Sequence, residues 1–342
     1  MCSLDAPRRS GIRVTSALLL AVFCPALWLV LSAQSEPLAL VSTAWPPFTN
    51  PPGQPRFALD LVEAALGRIG VGAKTAIVTA PQFSAALVSG LFDGSAAAWK
   101  DSDRERSLLF SRPYLENRLV LVGRRGAEVS ARALGDLKGK KVAIVEGYSY
   151  GDEIDSAGPA WVRSLGEEDS LAQLLNGGVD YTLMDELVVH YIVSNYPTES
   201  GARLQIGTTP LLIRELYLAI SRSRADAQSI VDRFNAQLPA MIADRTYHRL
   251  LHVDWIRADV DGDGVPEYVP ENDRPGPLEP QHAYTLFTAS ATGPDTAAQK
   301  TGFYVGGNIY SEWASVPENY KLSGSDAPDP SRSTGTIFKF SW

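Results

Sequence analysis

Leu38-Ala39-Leu40-Val41-Ser42-Thr43, followed by Trp45-Pro46-Pro47-Phe48 and then by Leu59, Val62, Leu66 and Ile69, decides the fold class. The first six residues are mostly apolar and of strand length. The Trp-Pro-Pro-Phe segment ends them, because proline brings no N–H to a ladder. The four later apolar residues recur at helical spacing, so they mark the buried face of a helix. Strand, turn and amphipathic helix in that order are the building unit of an α/β protein.

Outward from that unit the pattern repeats as far as Ile256. Ala76–Val78 reads as a short strand; Phe83, Ala86 and Leu87 open a helix that Gly90 stops; Ser95–Trp99 is again strand-like. Leu119-Val120-Leu121-Val122 runs into the turn-rich Gly123-Arg124-Arg125-Gly126. A second α/β unit begins at Asp136-Leu137-Lys138-Gly139. It offers a strand at Val142–Val145, a helix near Ser170–Leu175, a strand near Tyr181–Met184 and a helix from Glu186 to Ser194. Leu216–Ile220 follows as a strand. The next helix carries Ile230, Val231, Phe234, Leu238, Met241 and Ile242 on one face. Residues 36–121 and 216–256 are expected to form one lobe and 122–215 the other. Crossing strands near Leu119–Gly123 and Leu211–Ile220 would be the hinge. The cleft between such lobes is where a small ligand binds.

The first 35 residues stand apart. Arg8, Arg9 and Arg13 precede an apolar run from Val14 to Leu31, and Ser32, Ala33, Gln34 and Ser35 follow. That is the layout of a secretory signal peptide cleaved between Ala33 and Glu36, which implies the periplasm. The run is also nearly long enough to span a bilayer, but Pro25 and the small residues at its end favour cleavage. Both cysteines, Cys2 and Cys24, lie in this segment, so the expected mature chain has neither disulfide nor thiol chemistry. The net charge of −8 disfavours nucleic acid and anionic lipid as partners, and a chain with four histidines offers little for a zinc or redox-metal site.

After Ile256 the texture changes. The stretch 257–280 is acidic and then Pro-rich, and reads as a linker; 281–342 reads as a small β-rich extension, with alternation at His282–Thr288, Gly302–Tyr310 and Thr336–Trp342. Asp259, Asp261, Asp263 and Glu267 place oxygens at positions 1, 3, 5 and 9 of one loop, with Gly264 at position 6 and Val265 at position 7. Alternate oxygens around a turning glycine suit a hard cation, so a structural Ca2+ loop is expected at the junction. Position 12 is Pro270 rather than the bidentate glutamate of an EF-hand. A solvated acidic turn is the plainer alternative.

From Leu38 to Ile256 the chain resembles the bacterial extracellular solute-binding proteins of family 3, the polar amino-acid binders of ABC importers. The resemblance rests on an ordered set: Trp45-Pro46-Pro47-Phe48, Leu91-Phe92-Asp93-Gly94, Asp103-Arg104-Glu105-Arg106, Phe110-Ser111-Arg112-Pro113-Tyr114, Asp136-Leu137-Lys138-Gly139 and Gly178-Val179-Asp180-Tyr181. It implies a two-lobed type II periplasmic binding fold and a monomer that captures an amino acid or small carboxylate. The ligand would go to the membrane subunits of an importer or to a membrane sensor. No cofactor is required.

The resemblance also implies site residues. Arg104 aligns with the arginine that grips the ligand carboxylate, a task suited to a guanidinium fork. Otherwise it is a surface charge like its neighbour Arg106. Asp185 aligns with the acid that accepts the ligand ammonium, and is equally suited to cap the helix starting at Glu186. Trp45 aligns with the stacking aromatic, and is otherwise a core or rim ring. Gly147-Tyr148-Ser149 matches a turn at a helix start, where Ser149 either meets the ligand or caps the helix. Ala97 stands where the family has glycine, and Trp99 where it has a serine or threonine. Trp99 is therefore expected to line and reshape the pocket. The rival function is an enzyme on this scaffold, a lyase like the cyclohexadienyl dehydratases, with Glu146 or Glu153 as the general acid or base.

Overall fold

Where the sequence alternates apolar runs with amphipathic stretches, the structure, a computed structural model, builds β-strands covered by helices. It describes residues 36–152, 154, 158–197, 202–253, 255–272, 284–285 and 302–321. The expected signal peptide, Glu153, the Pro-rich stretch from 273 onward and Thr336–Trp342 lie outside the described residues.

The first lobe opens with β1 (Leu38–Thr43), α1 (Phe57–Arg68), β2 (Ala73–Val78), α2 (Ala80–Val88), β3 (Gly94–Trp99), the single-turn α3 (Ser102–Glu105) and β4 (Leu108–Phe110). β5 (Leu115–Arg124) leads out of it. The second lobe holds β6 (Lys141–Val145), β7 (Ala160–Ser164), α4 (Glu167–Leu175), β8 (Tyr181–Asp185) and α5 (Glu186–Asn195). The long β9 (Leu204–Ser221) returns, and α6 (Ala227–Ala243) and α7 (Thr246–Leu251) close the first lobe. The apolar faces read from the sequence are the ones buried. Leu59, Val62 and Leu66 lie inside on α1, as do all six residues named for α6.

Among the described residues one nine-stranded sheet runs in the order β2-β1-β3-β9-β5-β8-β6-β7, with β4 also on β9. β1 is parallel to β2 and β3, and β6 is parallel to β7 and β8. Parallel neighbours require crossovers, which α1, α2 and α4 supply. Between the two parallel units β5 and β9 run antiparallel, from Leu115 opposite Leu216 to Arg124 opposite Leu204. The far end of β9 pairs with β3, and the far end of β5 pairs with β8. These two strands are the link between lobes.

Several of the quoted motif residues hold this frame. Asp93 accepts from Ala39 N and from Arg224, each at 2.8 Å. Gly94 begins β3 so close to β9 that a Cβ would stand 1.9 Å from the Ala219 carbonyl oxygen. Ser111 Oγ accepts from Leu218 N at 3.1 Å, and the buried Tyr114 hydroxyl donates to the Ala96 carbonyl at 2.8 Å.

Two differences from the sequence reading stand out. The strand expected at Leu216–Ile220 begins at Leu204, because Gln205, Thr208, Thr209, Pro210, Arg214 and Glu215 conceal a hinge strand that is only half covered. The stretch read as a linker starts as a hairpin: β10 (Trp255–Ala258) pairs antiparallel with β11 (Glu267–Pro270), and the acidic loop is its turn. Four-residue strands are too short to show a period. β12 (Tyr284–Thr285), β13 (Phe303–Val305) and β14 (Asn308–Tyr310) complete the small sheet. Ile256, Ala258 and Val269 are fully buried in the main core, while Trp255, Phe303, Val305 and Val316 form a separate cluster.

Candidate functional site

Trp45 sits in the turn after β1 and Trp99 at the end of β3, so the strand edges of the first lobe carry two indoles to one place. They meet edge to face with 5.7 Å between ring centroids, and Phe48 stacks on Trp45 at 4.4 Å. The second lobe reaches them with the loop after β6. Tyr148 stands 5.9 Å from Trp45 and 5.5 Å from Trp99, and Tyr150 lies 5.3 Å from Trp99. The Tyr148 hydroxyl and Thr43 Oγ1 are 3.2 Å apart.

Arg104 lies on α3 and is 6% exposed. Its backbone N–H is held by the cap residue Asp101 at 2.7 Å. Nη1 donates to the Trp99 carbonyl at 2.9 Å; Nη2 donates to Ser84 Oγ at 3.2 Å and to the Gly147 carbonyl at 3.1 Å. Ser84 donates to the same Gly147 oxygen at 2.8 Å, so that carbonyl of the second lobe is gripped twice by the first. Gly147 has φ +81° and a Cβ there would stand 2.7 Å from the Ala80 carbonyl, so only glycine fits. Ser149 donates to Asp101 Oδ2. Burial lowers the Arg104 pKa, and nearby Asp101 partly opposes this. Arg106, by contrast, is largely exposed and pairs only with Asp103, at 3.2 Å.

Asp185 caps the helix that follows it, a role that does not exclude contact with a ligand. Oδ1 accepts from Leu187 N at 2.8 Å and Val188 N at 3.3 Å, while Oδ2 accepts from Asn117 Nδ2 and Arg118 N, each at 3.1 Å. Asn117 Oδ1 in turn accepts from Trp99 Nε1 at 2.8 Å. The Trp99 indole is thus tied through one amide to the acid of the other lobe. Trp45, Trp99, Arg104 and Ser149 line one recess with Ser42, Thr43, Phe83, Ala97, Tyr148 and Leu216; Asp185 stands one layer behind it.

A second acid, half-buried, stands against Trp45 outside the lining of the recess. Glu167 is the first residue of α4, and its Oε2 is sealed from solvent with no hydrogen-bond partner. The Trp45 indole N–H faces the carboxylate without completing a well-formed hydrogen bond to it. Burial, and then the charge of Asp185, push the Glu167 pKa up to about 8, with Trp45 opposing. Burial likewise pushes Asp185 up to about 7 against its hydrogen bonds. Glu146 is exposed and is not among the residues that line the recess.

In the acidic loop Asp259, Asp261 and Glu267 bring carboxylate oxygens within 4.8 Å of one another. Asp259 accepts from Gly262 N and Gly264 N, at 2.7 and 3.0 Å. Asp263 instead turns to accept from Val265 N at 2.7 Å, outside the converging trio.

The sequence profile of the bacterial extracellular solute-binding proteins, family 3, matches residues 39–257. The chain belongs to that family. The family's description places its members outside the cytoplasm. The virulence sensor protein BvgS of Bordetella pertussis is 28% identical over 158 residues, which are 45% of this chain and 12% of that protein. The matched segment therefore spans only a small part of that sensor. An ancestral arginine-binding protein bound to arginine superposes with a TM-score of 0.53 at 24% identity, covering 64% of this chain and 98% of its own. The GluR0 ligand-binding core of Nostoc punctiforme with L-glutamate gives 0.52 at 21% identity, covering 63% and 97%. A histidine kinase sensor domain similar to periplasmic binding proteins gives 0.55 at 20%, covering 64% and 95%. The fold is the type II periplasmic binding fold, with a small C-terminal sheet added.

For this solute-binding protein the sequence missed three cleft residues. Tyr148 lies between Gly147 and Ser149, and nothing in that turn marks its ring for the cleft. Asn117 sits in a charged stretch of β5 with no period to expose it. Glu167 heads the solvated-looking run Glu167-Glu168-Asp169, where nothing sets one acid apart.

Proposed function

We propose that this protein captures a small polar solute bearing a carboxylate, an amino acid or a close relative, in the periplasm. It would then present the solute to the membrane subunits of an ABC importer or to a membrane sensor. The observation that carries the reading is Arg104: a buried guanidinium on one lobe, clamped on a carbonyl of the other, inside an aromatic recess. A ligand carboxylate is the group that would take over the place of the Gly147 carbonyl on that fork. Trp45 and Trp99 enclose the remainder, and Ser149 exchanges Asp101 for the ligand.

The test starts from solute that co-purifies and is released on denaturation, identified by mass spectrometry. Arg104→Ala should weaken its binding by roughly 2–5 kcal/mol, on the order of thirtyfold to several thousandfold, because the carboxylate is left buried and unpaired. Arg106→Ala should bind like the parent. Equal affinities for Arg104→Ala and the parent would overturn the reading. The acidic loop is proposed to hold a structural Ca2+ through Asp259, Asp261 and Glu267, with Asp263 and the Val265 carbonyl recruited on binding.

A further inference from the structure

We propose that Gly147-Tyr148 of the second lobe is a built-in stand-in for the ligand, and that the solute which expels it is a carboxylate bearing an aromatic ring. This rests on the cleft being the binding site and names the class of solute it takes.

The recess is built by one lobe and filled by the other. Of the residues that line it, only Tyr148 and Ser149 come from the second lobe. The cavity left between them and the first lobe measures about 20 Å3, room for one water. A larger solute must therefore displace something, and the first-lobe walls are core: Trp45, Phe83 and Trp99 are each 5% exposed. Tyr148 is half-buried and stands on a loop. Its ring meets both indoles edge to face, at 5.9 Å and 68° to Trp45 and at 5.5 Å and 75° to Trp99, a favourable geometry for aromatic pairs. Its hydroxyl lies 3.2 Å from Thr43 Oγ1. The carbonyl just before it, that of Gly147, accepts from Ser84 at 2.8 Å and from Arg104 Nη2 at 3.1 Å. Arg104 Nη1 stays within the first lobe on the Trp99 carbonyl, so Nη2 is the arm that reaches across the cleft.

Those contacts spell out a solute. An acceptor oxygen sits on Arg104 and Ser84, a ring lies against two indoles, and a polar tip meets Thr43. The peptide nitrogen, Cα and Cβ of Tyr148 join the oxygen-bearing carbon to the ring. An arylalkanoate carries the same groups on a chain of like length. Its ionised carboxylate bonds a guanidinium more strongly than a neutral carbonyl does, and that difference lets the solute displace the loop. A solute without a ring would leave the indoles, once Tyr148 had withdrawn, against water. Without solute the protein divides its time between an open arrangement and this one, closed on itself. Apparent affinity is then reduced by the fraction of molecules whose seat Tyr148 holds.

Calorimetry with para-hydroxyphenylbutanoate, para-hydroxyphenylpropanoate, butanoate, para-propylphenol and L-glutamate tests this on the parent, Tyr148→Ala and Tyr148→Phe. The ring-bearing acids should bind the parent. Butanoate and propylphenol, each lacking one of the groups, should bind at least about tenfold more weakly. Tyr148→Ala should tighten binding of the ring-bearing acids by about threefold to tenfold, as expected if the seat is taken in roughly two thirds to nine tenths of free molecules. Tyr148→Phe keeps the ring and loses the contact with Thr43, so its affinity should fall between those of the parent and Tyr148→Ala. Unchanged or weaker binding in both variants overturns the inference, because Tyr148 then holds no seat. Tighter binding of L-glutamate than of either ring-bearing acid also overturns it, because the solute then needs no ring. In both cases Arg104→Ala still tells whether the cleft binds a carboxylate. Failure of every probe to bind the parent and Tyr148→Ala at about millimolar concentration overturns the inference and counts against the carboxylate reading too.

Discussion

The protein has two internal junctions, and they are made of different materials. Between the lobes exchangeable polar contacts (Arg104 and Ser84 on the Gly147 carbonyl, Ser149 on Asp101, Tyr148 on Thr43) stand beside the rings of Tyr148 and Tyr150 packed on Trp45 and Trp99. Each hydrogen bond is one that water or a ligand could replace, and the rings of Trp45 and Trp99, buried in this closed arrangement, are the surface a bound solute would cover instead of water. Between the first lobe and the C-terminal sheet the contacts are apolar. Ile256, Ala258 and Val269 have no exposed surface, and one buried histidine, His248, reaches the Val269 carbonyl at 2.9 Å. Opening that junction would expose core, which nothing compensates. The first junction can exchange its polar partners, whereas the second cannot part without exposing core.

The largest expected effect tests the shut junction. Ile256→Ala should lower unfolding stability in urea by about 2–5 kcal/mol through a cavity in the main core, while ligand affinity stays at the parent's value. A matching loss of affinity would mean that the C-terminal sheet is coupled to the cleft. Next, Trp99→Phe keeps an aromatic ring but loses the pyrrole half of the indole and with it the donor to Asn117 Oδ1. Stability should fall by about 1–3 kcal/mol, and calorimetry should show that ligand affinity falls with it.

The two junctions should also answer pH in opposite directions. Burial lowers the His248 pKa to about 4 from 6.5, so the folded form resists protonation. Its contribution is present above pH 6.5 and is lost as pH falls towards 4. Asp185 and Glu167 are raised, so theirs is lost as pH rises towards about 7 and 8. Melting temperatures of His248→Gln should be flatter on the acid side, and those of Glu167→Gln flatter on the alkaline side. The smallest effect is at the acidic loop. Calcium should raise the melting temperature modestly, and Asp259→Ala with Asp261→Ala should remove the gain. Identical curves in calcium and in chelator would dispose of the site.

Most of the frame was legible because burial leaves periods in the sequence. β1, α1, α5 and α6 appear where apolar spacing placed them, and Asp93, Gly94 and Tyr114 each hold the frame by a defined contact. What stayed hidden had no period to show. The first half of β9 crosses between lobes half covered and carries polar residues; β10 and β11 are four residues each. The site was legible in part for the same reason. Arg104, Trp45, Trp99 and Ser149 come together, but the use of a carboxylate depends on its neighbours, which spacing does not record. Asp185, marked by its place after an apolar strand, turned out to be engaged by its own chain. Glu167, unmarked, has an oxygen that no described residue engages in a well-formed hydrogen bond.

The claim that the inter-lobe contacts are exchangeable can be measured directly as a distance. Val88 on α2 and Leu165 before α4 are both exposed, at 56% and 67%, one in each lobe. Spin labels at Val88→Cys and Leu165→Cys, with Cys2 and Cys24 replaced by serine, report the separation of the lobes. The account expects a broad or longer distance without ligand and a single short one with it. Adding Arg104→Ala, which removes the grip on Gly147, should favour the longer distance. One unchanged distance in all three samples would contradict it.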